Sequence, residues 1–141
     1  MEDKSKTIGE IKTSEFMIID PFYTTPDEKI STTELLMLKK NIGGLPVVRD
    51  SKQKQVIGII TQRDIRLARF AMNLDSPHTK VKDLMTHQPI ILNKEDSLKL
   101  ALRKMLENKV DRLPVVNENQ QLIGLVTKHS IMTRIFNFLK N

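Results

Sequence analysis

The sequence predicts a mixed α/β (α+β) fold in which one βαββα unit occurs twice. Three observations carry this. Ile42-Gly-Gly-Leu-Pro-Val-Val48 recurs as Val110-Asp-Arg-Leu-Pro-Val-Val116, with Pro114 standing 68 positions after Pro46. Val56-Ile-Gly-Ile-Ile-Thr61 recurs as Leu122-Ile-Gly-Leu-Val-Thr127, at an offset of 66. Between these motifs the hydrophobic period alternates between strand-like and helix-like segments. Internal repeats at a fixed offset decide an architecture. Each unit is short for a core of its own, so the two are expected to pack face to face about a pseudo-twofold axis. Small mixed sheets would then be flanked by helices.

Residues 1–12 have no counterpart in the second copy and are expected to form a tail or a short helix. Residues 13–74 make the first repeat, 75–80 with Ser76-Pro77 the linker, and 81–141 the second repeat. Phe22–Thr25 and Ile90–Leu92 read as short strands. A helix follows each. In the second copy Ser97 precedes Leu98, Leu102, Met105 and Leu106, which share one helical face; in the first copy the matching face is Ile30, Glu34, Met37 and Leu38. Leu-Pro-Val-Val is a strand entered through a proline, where a missing N–H costs least. A polar turn leads to its hairpin partner, and the two-residue loss falls in that turn, where length changes are tolerated. A last helix starts at Thr61 or Thr127, each able to cap the unpaired N–H groups there.

Composition excludes several classes. The 141 residues are 39% apolar and 28% charged, as in soluble globular proteins. No apolar run approaches the roughly 20 residues that span a bilayer. Met1-Glu-Asp-Lys-Ser-Lys6 lacks the apolar stretch of a secretory signal. The absence of cysteine removes disulfides and thiolate metal sites and fits a reducing, cytoplasmic setting. His78, His87 and His129 are scattered, so no metal site is expected. There is no phosphate-binding glycine loop and no nucleophile in a triad pattern, so no catalytic residue is expected. The net charge of +6 favours phosphate-bearing partners, nucleotide or nucleic acid. One Tyr and no Trp make a base-stacking platform for nucleic acid hard to build.

Phe16-Met17, Pro21, Leu45-Pro-Val-Val48 and Gly58-Ile-Ile-Thr-Gln-Arg-Asp64 resemble a CBS domain, named after cystathionine β-synthase. Leu84-Met85, Pro89, Leu113-Pro-Val-Val116 and Gly124-Leu-Val-Thr127 resemble a second one. The likeness covers about residues 13 to 136. Ile19-Asp-Pro21 and Thr61-Gln-Arg-Asp64 are also similar to the regulatory insert of IMP dehydrogenase, without that enzyme's catalytic barrel or its cysteine. The resemblance implies a Bateman module: a regulatory homodimer that binds AMP, ADP, ATP or S-adenosylmethionine in clefts between the repeats and acts on an effector protein.

Thr61, at a strand-to-helix junction, offers a hydroxyl and unpaired N–H groups to a phosphate or ribose oxygen. Asp64 lies one turn on. Its carboxylate can accept both hydroxyls of a ribose. The plain alternative is an N-cap with an acidic first-turn residue. In the second copy Thr127 is kept but Ser130 replaces the carboxylate, which weakens ribose binding there. By the resemblance, Ile90 and Ile91 would wall the adenine of the first cleft, with Val110, Asp111 and Arg112 nearby and Arg112 on the phosphate. The second cleft would take Thr127, Lys128, His129 and Ser130, with Phe22, Tyr23 and Gly44. Gly43 and Gly44 stand where the other copy has Asp111 and Arg112, and bring no charge. Phe22 and Tyr23 read equally as core. Arg63, Arg66 and Arg69 read as a solvated helical face. Three functions compete: an adenosine-nucleotide sensor, a ligand-free dimerisation or scaffold module, and a nucleic-acid-binding protein.

Overall fold

The computed structural model describes residues 4–72 and 77–140. Met1–Asp3 at the start of the tail and Asp75-Ser76 of the linker lie outside the described residues. In chain order the elements are α1 (Lys4–Gly9), a 3-10 turn (Thr13–Glu15), β1 (Ile18–Ile19), α2 (Ile30–Lys40), β2 (Gly44–Val48), β3 (Val56–Thr61) and α3 (Gln62–Met72). There follow α4 (Val81–Leu84), β4 (Thr86–His87), β5 (Leu92–Asn93), α5 (Leu98–Asn108), β6 (Arg112–Val116), β7 (Leu122–Thr127) and α6 (Lys128–Lys140).

Repeats of sequence and units of packing are different segments. One compact unit, here the central unit, is Phe22–Pro89. The other, the terminal unit, joins Met1–Pro21 to Ile90–Asn141.

In the central unit the sheet order is β2-β3-β4, all antiparallel. Only Thr24 of the expected strand Phe22–Thr25 pairs, through one parallel bridge to Val47. The arm 79–89 closes the unit. Its Val81 N–H donates to Glu28 O at 2.9 Å, and Val81 and Met85 enter the core with Ile30, Met37, Leu45 and Ile60.

In the terminal unit the sheet order is β1-β7-β6-β5, with β5 parallel to β6. Of the expected strand Ile90–Leu92 only Leu92 pairs, and it continues into Asn93. The amino-terminal arm takes the corresponding place. Thr13 N–H donates to Asp96 O at 2.8 Å, and Ile11 and Phe16 enter the core with Leu92, Leu98, Leu113 and Val126. Each repeat's leading arm therefore completes the other repeat's sheet.

Two glycines explain the arms' close approach. A Cβ on Gly58 would stand 2.8 Å from Met85 Sδ and 2.9 Å from Thr86 O. A Cβ on Gly124 would stand 2.5 Å from Met17 Sδ and 3.1 Å from Ile18 O. Phe-Met and Leu-Met thus recur because the methionine lies over a bare glycine of the receiving strand.

The helical faces need correction. Ile30, Thr33 and Met37 are the buried face of α2, and Leu98, Ala101 and Met105 that of α5. Leu38 is 73% exposed and Leu106 79%, and Leu102 is exposed as well. Residues i, i+3 and i+7 form the buried face of each helix, and the flanking leucines lie outside that stripe. No helix among the described residues is long and apolar enough to cross a membrane.

Candidate functional site

In the central unit β3 runs straight into α3. Thr61 closes the junction as a reciprocal cap. Its N–H donates to Asp64 Oδ2 at 2.9 Å, and Asp64 N–H donates to Thr61 Oγ1 at 3.1 Å. Gly44 pairs directly with Thr61 across the hairpin. Gln62 is tied behind it: its backbone N–H donates to Gly43 O at 2.8 Å and its side-chain amide to Ile42 O at 3.2 Å. Asp64 is half-buried. Its other oxygen, and the remaining lone pairs of Oδ2, can still accept hydroxyls.

Phe22 and Tyr23 belong to this unit and are not core. Phe22 is 49% exposed with Lys40 Nζ 5.2 Å from its ring centre; Lys54 Nζ stands 5.2 Å from that of Tyr23. Arg63 and Arg66 are exposed, as a solvated face requires. Arg69 instead forms a two-pronged ion pair with Glu34. That hydrogen bond holds the Glu34 carboxyl below the ordinary carboxylate range, against an opposing effect of burial.

The terminal unit builds the same junction without the charge. Thr127 N–H donates to Ser130 Oγ at 2.9 Å, Ser130 N–H to Thr127 Oγ1 at 3.0 Å, and the serine hydroxyl to Thr127 O at 3.0 Å. Arg112 pairs directly with Thr127 across β6 and β7. Its guanidinium is held by its neighbour, with Nη1 donating to Asp111 Oδ1 at 2.8 Å. Lys128 and His129 are exposed. Val110 and Ile90 lean on the core. The carbonyl of Ile91 accepts a 2.8 Å bond from Lys104 Nζ.

The fold thus groups the candidates by unit. Thr61, Asp64, Gly44, Phe22 and Tyr23 lie in the central unit. Ile90, Ile91, Val110, Asp111, Arg112, Thr127, Lys128, His129 and Ser130 lie in the terminal one. Lys104 escaped the sequence reading. Its signal was a mismatch between copies, a lysine where the first repeat has Leu36. Among the described residues no three His, Asp or Glu side chains come together as metal ligands.

A family model for the CBS domain matches residues 8–70 and 81–137. The chain belongs to the CBS domain family. This CBS-domain pair is 35% identical over 129 residues to inosine-5'-monophosphate dehydrogenase of Staphylococcus haemolyticus (strain JCSC1435), a match covering 90% of the pair and 25% of the dehydrogenase. The enzyme of Bacillus subtilis (strain 168) is 31% identical over 130 residues, with 90% and 25% covered. The pair therefore spans about a quarter of the length of the curated relatives it matches. Among solved structures, CBSX2 in complex with AMP superposes with a TM-score of 0.80 at 28% identity, covering 92% of the pair and 98% of CBSX2. The CBS-pair protein CBSX2 from Arabidopsis thaliana gives 0.81 at 24% identity, covering 92% and 97%, and shares the fold.

Proposed function

We propose that this chain is a regulatory module that binds an adenosine nucleotide of the AMP, ADP or ATP type. Thr61 and Asp64 receive the ribose, Ile90 and Ile91 wall the adenine, and Arg112 meets phosphate. The observation that carries the reading is the Thr61–Asp64 pair. The cap uses one bond of the carboxylate and leaves acceptors for a cis-diol. CBSX2, 28% identical, is known in complex with AMP, which supports the same ligand class here. S-adenosylmethionine carries the same diol and is the second candidate. The junction at Thr127 and Ser130 lacks a carboxylate and is assigned no ribose.

The module acts as a homodimer and reports nucleotide level to an effector protein. Leu38 and Leu106, and Phe70 and Phe136, support self-association. They are exposed at 73%, 79%, 95% and 63%, and each pair is related by the repeat.

A thermal-shift screen of AMP, ADP, ATP, GMP and S-adenosylmethionine, backed by calorimetry, tests the reading. A ligand at 100 times its Kd stabilises the fold by about 2.7 kcal/mol. Silence from every adenosine compound in both assays sinks it.

A further inference from the structure

We propose that Lys104 is a positioning residue for the nucleotide site, fixing the backbone at Ile91 and through it the Ile90-Ile91 wall. The inference rests on the reading that these isoleucines face the adenine. Lys104 lies on α5 between Ala101 and Met105, two buried residues, and is itself half-buried. Its Nζ donates to Ile91 O at 2.8 Å. Among the described residues no carboxylate lies within ion-pair distance of it. Ordering a long lysine side chain and partly drying its ammonium is unfavourable, and a single carbonyl is a modest return in stability alone.

The place of that carbonyl gives the bond a role. β5 begins at Leu92, so Ile91 stands just before the ladder that orders Leu92 and Asn93. Ile90 is anchored by packing on the core. Lys104 supplies Ile91 with a polar anchor that its own strand begins too late to provide. The other repeat has no such pin. Leu36 stands at the position of Lys104, and Tyr23 at that of Ile91. The pin therefore belongs to the one wall assigned to the adenine.

The test uses the full chain, with AMP as probe. Lys104→Leu copies the residue its twin already carries, and Lys104→Met keeps the stem length. In both, AMP affinity by calorimetry is expected to fall about tenfold, because the wall must then be ordered at the moment of binding. Amide exchange at 90–92 in the ligand-free chain should quicken, while the unfolding midpoint stays near wild type. Lys104→Arg keeps a donor and is expected to restore most of the affinity. Wild-type binding of AMP with unchanged affinity in Leu and Met variants overturns the inference and leaves the nucleotide reading standing. Loss of affinity that Lys104→Arg fails to rescue also overturns it. Failure of the wild-type chain to bind AMP removes the nucleotide reading itself, and this inference with it.

Discussion

Asp64 and Thr61 hold each other through two backbone hydrogen bonds, 2.9 Å from Thr61 N–H to the carboxylate and 3.1 Å from Asp64 N–H to the hydroxyl. Ser130 and Thr127 make the same two bonds at 2.9 and 3.0 Å with no charge. The cap and the carboxylate are therefore separable, because a neutral hydroxyl already performs the capping in the twin repeat.

Asp64→Ser should keep the helix start and remove the diol acceptor. Stability by urea denaturation is expected to change by less than about 1 kcal/mol, the scale of one cap. AMP affinity by calorimetry is expected to fall at least about tenfold, since charged acceptors are lost. Undiminished affinity would place the ribose elsewhere.

Gly58→Ala and Gly124→Ala should both destabilise the chain, by about 1–3 kcal/mol as in other overpacked sites. They differ in rescue. Trimming Met17 to Ala should recover most of the Gly124→Ala loss, because the worst clash there is with the flexible Met17 Sδ at 2.5 Å. Trimming Met85 should recover little for Gly58→Ala, because Thr86 O remains at 2.9 Å. Equal rescue at the two sites in denaturation curves would contradict this account.

Thr24 and Thr33 share a buried hydroxyl–hydroxyl bond of 3.0 Å. Their twins in the other repeat are Leu92 and Ala101. Thr33→Ala alone leaves the Thr24 hydroxyl unpaired and should cost about 1–3 kcal/mol. Adding Thr24→Val should return part of that cost. A double-mutant cycle reads the coupling directly, and strict additivity would show that the hydroxyls find other partners.

Glu34 gives a pH dependence with a definite sign. Its folded carboxyl titrates below the ordinary value of 4.5, chiefly through the hydrogen bond from Arg69. The unfolded chain therefore binds this proton first as pH falls. The stabilisation is complete above that ordinary value and is lost as pH drops through the folded one. Asp27 and Glu95 shift the same way, through Lys82 and Lys12 respectively. In urea titrations Glu34→Gln should flatten the loss of stability below pH 4.5 without abolishing it. An unchanged slope would mean that the ion pair contributes nothing in solution.

Much of the fold was legible because the chain states it twice. Strands β2, β3, β6 and β7 and the two strand-to-helix junctions followed from motifs of five or more residues, long enough to show a period. The helical faces were half legible. Leu38, Leu102 and Leu106 read as core and are exposed, whereas Thr33 and Ala101 are buried. Hydropathy ranks side chains but cannot tell which of two apolar stripes the sheet will meet. A further regularity was mostly hidden. Asp20 and Gln88, Asn41 and Lys109, and Lys54 and Gln120 all adopt positive φ, each pair in register with the repeat. None is a glycine; Asp20 and Asn41 are types that tolerate the left-handed backbone, but Gln88, Lys54, Lys109 and Gln120 gave no sign of it.

By itself the sequence determined the duplication, the order of the main elements, and the single carboxylate that makes the two junctions chemically unequal. Those features reside in residue identity and spacing. Tertiary structure alone decided that Ile18-Ile19 would pair with β7 and Thr86-His87 with β3, so that each repeat's arm completes the other's sheet. Two-residue strands carry no readable period, and the same bare glycine stands in both β3 and β7, so residue pattern alone could not say which edge each arm would take. The same holds for Lys104, whose role became visible only once the fold brought the Ile91 carbonyl to its ammonium.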